Sequence, residues 1–336
     1  MDVFIAGAGW ITPLGAGLDE VWNAIAAGTP APVRELAGPP GRKPHRAALI
    51  PPKLADAVAR NPRLRRASNI SLFAATAVLA AMRDAGLDPA QPGRCAIVFA
   101  VSDGGVIYTR RFYDQVVREG SGSPLLFPET VYNAPASHVA AILGIDGITY
   151  TLAGDASAGL AALRLGAELI ASGQADHCIV AGAEEADWIL GEAYSQWGLA
   201  STRGALIADG AAAVVLSRAG RYRLDCVTPG VPFFKQAAAS ASLSAALDQL
   251  PDVRPARIIS SANGTFIDRA ERLALEPRFP GLPVLRPKLS LGDAFGASAL
   301  MQVICAMRSL DAAGAALAAV IGLNHQAAAA LISIPR

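Results

Sequence analysis

At 336 residues, 52% of them hydrophobic, the chain exceeds the usual span of one core, so two domains or a duplicated α/β unit is expected. A formal net charge of +1 excludes nucleic-acid or membrane-surface binding that rests on bulk electrostatics. No run of about 18 apolar residues lacks a charge, Gly or Pro, so no membrane span is expected.

The opening Met1-Asp2-Val3 has no basic n-region, so secretion is not expected and a cytoplasmic protein is the simplest reading. Val3 to Gly9 reads as a short strand entering a glycine turn, and Thr12-Pro13-Leu14-Gly15 leads to a helix around Asp19 to Ala27. Gly7-x-Gly9 does not make a dinucleotide fingerprint: Gly15 lies too far on, and no acidic residue closes a second strand about twenty residues later. No cofactor is expected. Residues 28–53, rich in Pro, Gly and Arg, read as a long loop. Ser68 to Ala85 has apolar residues at helical spacing and stops at Gly86, and Arg94 to Val101 reads as a buried strand. Asp103 to Glu119 reads as a helix with one solvated face, which absorbs Tyr108, Arg110, Arg111, Phe112 and Tyr113 without a nucleic-acid role. His138 reads as a satisfied core or interface histidine. Cys95, Cys178, Cys226 and Cys305 stand singly among aliphatic residues, so buried inert thiols are expected and no metal or redox site.

Thr151-Leu152-Ala153-Gly154-Asp155-Ala156-Ser157-Ala158-Gly159-Leu160 reads as a strand that stops in a tight turn, with Asp155 or Ser157 capping the helix that follows. The positive end of a helix dipole lowers the cost of a negative charge, so such a turn suits a nucleophile. After it come a strand from Ala175 to Glu185 and another at Ala208-Asp209-Gly210-Ala211-Ala212. The rest reads as a strand at Tyr222 to Val227, a helix at Ala237 to Leu247, a strand at Ala256 to Ser261, helices at Asp268 to Leu275 and Ala297 to Leu310, and a closing pair, Ala318 to Gly322 with Ala329 to Ile334. That order roughly repeats what precedes it, which divides the chain into 1–220 and 221–336.

These stretches resemble the β-ketoacyl synthases, condensing enzymes of the thiolase superfamily. IAGAGWITPLGAGLDEVWNAIAAG is similar to their opening strand, Thr-Pro-x-Gly turn and Trp-bearing helix, and the turn before Gly159-Leu160 is similar to their nucleophile elbow. The resemblance implies a thiolase-like duplicated fold, two α/β halves stacked in a layered α-β-α-β-α arrangement. LFPETVYNAPASHVA resembles the family's loop and helix at the dimer interface, which implies an interface over about 103–140. Only a short segment around Trp197 to Ala208 stands where the family carries a long excursion, so an active-site cover is expected to be lost.

Position by position, the resemblance implies missing chemistry. The family's cysteine falls on Ala156; its Asn-Ala-His-Gly-Thr histidine falls on Asn263; its Lys-Ser-x-x-Gly-His histidine falls on Asp293, while Lys288 is retained. The oxyanion turn is replaced by Gly322-Leu323-Asn324-His325-Gln326-Ala327. Loss of a general acid/base costs roughly 10² to 10⁴ in rate and loss of an oxyanion donor about 10² to 10³, and without a nucleophile no acyl-enzyme forms. Asp293 would also repel a malonyl carboxylate. The implied role is that of a chain-length factor, a degenerate ketosynthase subunit of type II polyketide, polyene or fatty-acid-like biosynthesis. Its implied partners are an active β-ketoacyl synthase as heterodimer and, through the complex, an acyl-carrier protein. The alternatives are an acyltransferase or esterase that uses Ser157 with His325 as base, and a self-associating acyl or carrier-protein binding module.

Overall fold

A computed structural model describes residues 2–199, 204–323 and 325–335. In chain order the first half comprises β1 (Phe4–Ile11), α1 (Leu18–Ala26), β2 (Val33–Leu36), β3 (His45–Ala48), α2 (Asp56–Ala59), α3 (Asn69–Asp84), β4 (Cys95–Val101), α4 (Val106–Glu119), α5 (Ala134–Leu143), β5 (Thr149–Ala153), α6 (Ala156–Ala171), β6 (His177–Glu184), α7 (Trp188–Gln196), β7 (Ile207–Ala208) and β8 (Gly210–Ser217). The second comprises β9 (Tyr222–Val227), β10 (Val231–Pro232), α8 (Ala239–Leu247), β11 (Arg257–Ile259), α9 (Phe266–Leu275), β12 (Val284–Leu285), α10 (Pro287–Leu291), α11 (Phe295–Arg308), β13 (Gly314–Ile321) and β14 (Gln326–Ile334).

Each half lays its five principal strands in the same pattern. β4 runs parallel to β5 and β6, with β8 antiparallel to β6 and to β1. β11 runs parallel to β12 and β13, with β14 antiparallel to β13 and to β9. The two five-strand sets meet where β1 pairs β9, at Phe4–Arg223 and Ile5–Tyr222.

Alternation along the strands explains the layers. In β4, Ala96, Val98 and Ala100 face a central core, and Cys95, Ile97, Phe99 and Val101 face an outer one with α3 and α5. In β13, Ala316, Ala318 and Val320 face the same central core, while Leu317, Ala319 and Ile321 face α8 and α9. Strands buried on both faces read as continuous apolar runs, which is how they stand in the sequence. Between the two sheets lie α6 and α11, and small residues let them touch: a Cβ on Gly159 would sit 2.9 Å from the Ala299 Cβ. The result is the thiolase-like, five-layered α/β fold expected from the sequence.

Several local expectations are corrected. Residues 28–53 are not one loop: β2 and β3 form a hairpin that β7 extends into a three-stranded side sheet. Four-residue strands with an exposed face carry too short an alternation to stand out among Pro and Gly. In α4 no residue is fully buried, so the apolar side expected there is only partly covered. Cys226 is half-exposed, unlike the other three cysteines. Among the described residues no helix is long and apolar enough to cross a membrane, and no group of three or more His, Cys, Asp or Glu is placed to hold a metal ion.

Candidate functional site

The site forms where α6, α9 and α11 begin, at the ends of the central strands. β5 stops at Ala153, and Gly154 hands its N–H to Val101 O, which pins the turn to β4. Asp155 then caps α6: its Oδ1 accepts from Ser157 N at 2.9 Å and from Ser157 Oγ at 2.8 Å. Gly322 closes over this carboxylate, since a Cβ there would overlap it. Ala156 is 4% exposed and presents a methyl group at the first turn, at the positive end of α6.

A second wall comes from the segment between β11 and α9. Thr265 caps α9, Asp268 accepts from the N–H groups of Asn263 and Gly264, and Asn263 Oδ1 accepts from Thr265 Oγ1 at 2.6 Å. This fixes the Asn263 amide so that its Nδ2 donates to Asp293 Oδ2 at 2.8 Å. Behind it, buried Glu271 accepts from Ser260 Oγ and from the Ser261 N–H and Oγ. Burial raises the Glu271 carboxyl, which these bonds and the Lys288 charge only partly oppose.

Asp293 is the most heavily bonded group. Its backbone locks onto Leu206 O and Ala208 N, and the preceding Gly292 has φ 82° with no room for a side chain, since a Cβ would sit 2.7 Å from Ala208 Cβ. Its Oδ2 accepts from Lys288 Nζ and Asn263 Nδ2, each at 2.8 Å, and its Oδ1 from Phe295 N at 3.1 Å and Ser298 Oγ at 3.0 Å. Burial alone would raise its pKa; the Lys288 charge and the bonds from Lys288, Asn263 and Ser298 outweigh burial and hold it below the usual aspartate range.

The structure adds members that sequence reasoning missed. Glu184, at the end of β6, accepts from Ser102 N and Asp103 N and is 1% exposed. Burial, and then the Asp103 charge, push its carboxyl well above the usual range. Asp103 itself is pushed up to about 7 by burial and by Asp293, and its Oδ2 has no hydrogen-bond partner. Tyr194 of α7 feels the charges of Asp103, Asp293, Glu184 and Asp155, which together with burial raise its hydroxyl. Its ring stacks on Phe295 at 4.7 Å and 17°, and both pack with Leu190, Ile207, Ala47 and Ala186. So a stacked aromatic pair stands beside the carboxylates of the site, with Tyr194 just before the shortened segment in which a lost cover is expected. Residues 200–203 of that segment lie outside the described residues. The signals for the acids were the carboxylates just past the apolar strands Cys95–Val101 and His177–Glu184; nothing in the sequence marked Tyr194.

The structure brings together Asn263, Lys288 and Asp293 by bonds to one carboxylate, while Ala156 stands at the start of α6. Among the described residues no hydrogen bond joins Ser157 to His325. Ser157 Oγ donates to Asp155 and lies 3.4 Å from Gln326 Oε1, while the exposed His325 ring packs at 5.3 Å against Phe233. Asn324 of that turn lies outside the described residues. Chemically, the site joins an ion-paired Asp293 to two acids whose carboxyls burial raises, Asp103 and Glu184, while the first residue of α6 presents a methyl group and the Ser157 hydroxyl is bonded to Asp155.

Comparison with known proteins agrees with this geometry. Residues 1–221 match the family model described as Beta-ketoacyl synthase, N-terminal domain. A putative polyketide beta-ketoacyl synthase 1 from Streptomyces halstedii is 30% identical over 198 residues, 54% of this chain and 46% of that protein; the match thus spans about half of the relative's length. Among solved structures, the ishigamide ketosynthase/chain length factor superposes over the whole of both chains with a TM-score of 0.84 at 20% identity. A beta-ketoacyl synthase from Burkholderia phymatum STM815 does so with a TM-score of 0.85 at 19% identity. Likeness at these identities shows the fold.

Proposed function

The chain belongs to the β-ketoacyl synthase family, and from that premise we propose that it is a non-catalytic subunit of the chain-length-factor type. It pairs with an active β-ketoacyl synthase in a type II polyketide, polyene or fatty-acid-like system and helps shape the space in which the acyl chain lies. The observation that carries this reading is the state of the site: Ala156 at the helix start, with Asn263 and Lys288 committed to a buried Asp293 carboxylate. Asn263 and Lys288 both bond Asp293, so these three side chains support the scaffold.

A partner surface is supported by exposed apolar side chains on the stretch expected to form the interface. Tyr113, Val117, Leu125, Phe127 and Tyr132 are 64%, 82%, 63%, 55% and 51% exposed. β5, at the end of the sheet, adds Tyr150 and an unpaired strand edge. An obligate partner here buries on the order of 2,000 to 5,000 Å² in total. The Ser157 enzyme lacks such support, since Ser157 donates to Asp155 as part of the cap.

Co-expression with a cognate synthase that retains its cysteine and both histidines tests the reading. A tight heterodimer and condensation that depends on this chain are expected. A synthase that condenses at full rate without it overturns the proposal.

A further inference from the structure

The two five-strand sets do not meet along their full length. β9 pairs β1 only at Tyr222 and Arg223, and Leu224 N donates to Val3 O at 2.9 Å. Past that bond, among the described residues, Asp225, Cys226 and Val227 have β14 along one edge and no strand along the other. A cavity of about 780 Å³ opens at this free edge, beside the last turns of α6 and remote from Asp155 and Ala156 at its start. Arg164, Ala167, Glu168 and Ala171, one face of α6 at helical spacing, form one wall, and Val253 and Arg254 of the segment after α8 form another.

The register sets three side chains on one face of the sheet here: Ala315, Ser333 and Arg223 stand directly opposite one another across β13, β14 and β9. Ser333 lines the cavity, is 8% exposed, and its Oγ has no hydrogen-bond partner. Arg223 gives its Nε–H to Asp225 Oδ1 at 2.6 Å, and among the described residues its two terminal nitrogens carry no hydrogen bond. A buried hydroxyl without a partner is a cost that folded proteins seldom leave unanswered.

Charge and lining select what answers it. Around the cavity Arg164, Arg223 and Arg254 are matched in number by Asp2, Glu168 and Asp225, and two of the cations are already paired, Arg164 with Glu168 at 3.0 Å and Arg223 with Asp225. So no net charge draws in a phosphate or another polyanion. Between the charges the lining is aliphatic, from Val3, Leu224, Val227 and Ile334 together with the two alanines of α6. A carboxylate at Ser333 and Arg223 would meet the Asp225 charge beside these donors, whereas a neutral carbonyl oxygen accepts from the Ser333 hydroxyl and an Arg223 N–H and brings no charge out of water.

We infer that this cavity is a binding site for a small neutral organic molecule, apolar in its body and carrying a carbonyl oxygen that Ser333 and Arg223 hydrogen-bond. Its volume falls within the roughly 300 to 1,000 Å³ of small-molecule sites. The site shares no residue with the Asp293 cluster and does not rest on the function proposed above.

Cys226 lines the same cavity and is half-exposed while Cys95, Cys178 and Cys305 are buried, so its alkylation by N-ethylmaleimide in the folded chain reports on occupancy. The rate is followed by intact-mass analysis at fixed pH with increasing 2-octanone, sodium octanoate or octylamine. The ketone should slow alkylation saturably, and the carboxylate and the amine should not at the same concentrations. S333A removes the orphan hydroxyl and adds no volume, so its unfolding temperature should equal or exceed that of wild type. Half-protection of that variant should need roughly three- to tenfold more ketone, the worth of one hydrogen bond. As a second readout, the ketone should raise the unfolding temperature of wild type more than that of S333A. No protection by 2-octanone, equal protection of wild type and S333A, or stronger protection by octanoate or octylamine overturns the assignment.

Discussion

Asp293 and Glu184 are carboxylates in one site, 2% and 1% exposed, and their acidities move in opposite directions. Asp293, from the second half of the chain, has Lys288 at 2.8 Å and accepts four hydrogen bonds, so it stays ionised against its burial. Glu184, from the first half, accepts backbone N–H bonds and has another acid, Asp103, beside it, so burial and then that charge push its carboxyl well above the usual range. Burial is the same in both; the difference is a cation with side-chain donors on one side and a second acid on the other. The pocket therefore divides into an ion-paired side that locks α10 to α11 and a neutral acid side that closes the ends of β4 and β6.

The largest effect should come from removing that cation. Lys288→Met leaves Asp293 buried with its charge uncompensated, and a loss of about 3–5 kcal/mol in unfolding free energy is expected by denaturant titration. Replacing both members, K288M/D293L, removes the charge along with its partner, and the loss should be less than half that of the single variant. If both variants lose equally, the lysine acts by packing its stem and the ionic account of this side fails.

Much of the fold was legible because the buried strands are long apolar runs and the central helices carry small residues where they cross. Gly159 and Ala299 stand in the sequence as an unusual density of small side chains, and the structure uses them for contact. Motif spacing singled out Ala156, Asn263, Lys288 and Asp293, and the last three meet in the structure. What they do now was not legible. Asn263 reaches Asp293 across thirty residues, and Lys288 reaches it because Gly292 folds the backbone back at φ 82°. Tyr194 was invisible for the same reason: its role depends on Phe295, about a hundred residues away, and no local pattern encodes a stacking partner.

The acid side makes a smaller, pH-shaped prediction. Asp103 and Glu185 are pushed up to about 7, and Asp209 to about 6, mainly by burial. A carboxyl raised in the folded state adds stability that is complete below its unfolded pKa and is lost as pH rises through the folded value. Stability should therefore decline from about pH 4 to 7, the window these values span. Asp293, shifted the other way, loses its contribution only as pH falls below the ordinary aspartate range. In D103N/E184Q the decline measured by thermal unfolding across that window should be shallower than in wild type. An unchanged slope would mean that neither acid is held neutral, and the contrast with Asp293 would disappear.

The smallest expected effect is also the sharpest for function. Ala156→Cys returns a thiol to the first turn of α6, where the helix dipole favours the thiolate. Asp155, next to it, opposes that charge, and Tyr194 stacks on Phe295 beside the acids of the site. On the proposed reading Asn263 and Asp293 stand in place of two acid/base groups, and each missing group costs roughly 10² to 10⁴ in rate. Intact-mass analysis after incubation with an acyl thioester should show little adduct, and malonyl-dependent product should stay at background. Removing the Tyr194 ring as A156C/Y194A should speed alkylation of the thiol by a small reagent without bringing condensation. If A156C alone loads an acyl group and extends it, the ion-paired side is a competent catalytic wall, and a single missing sulfur was all that separated this chain from an enzyme.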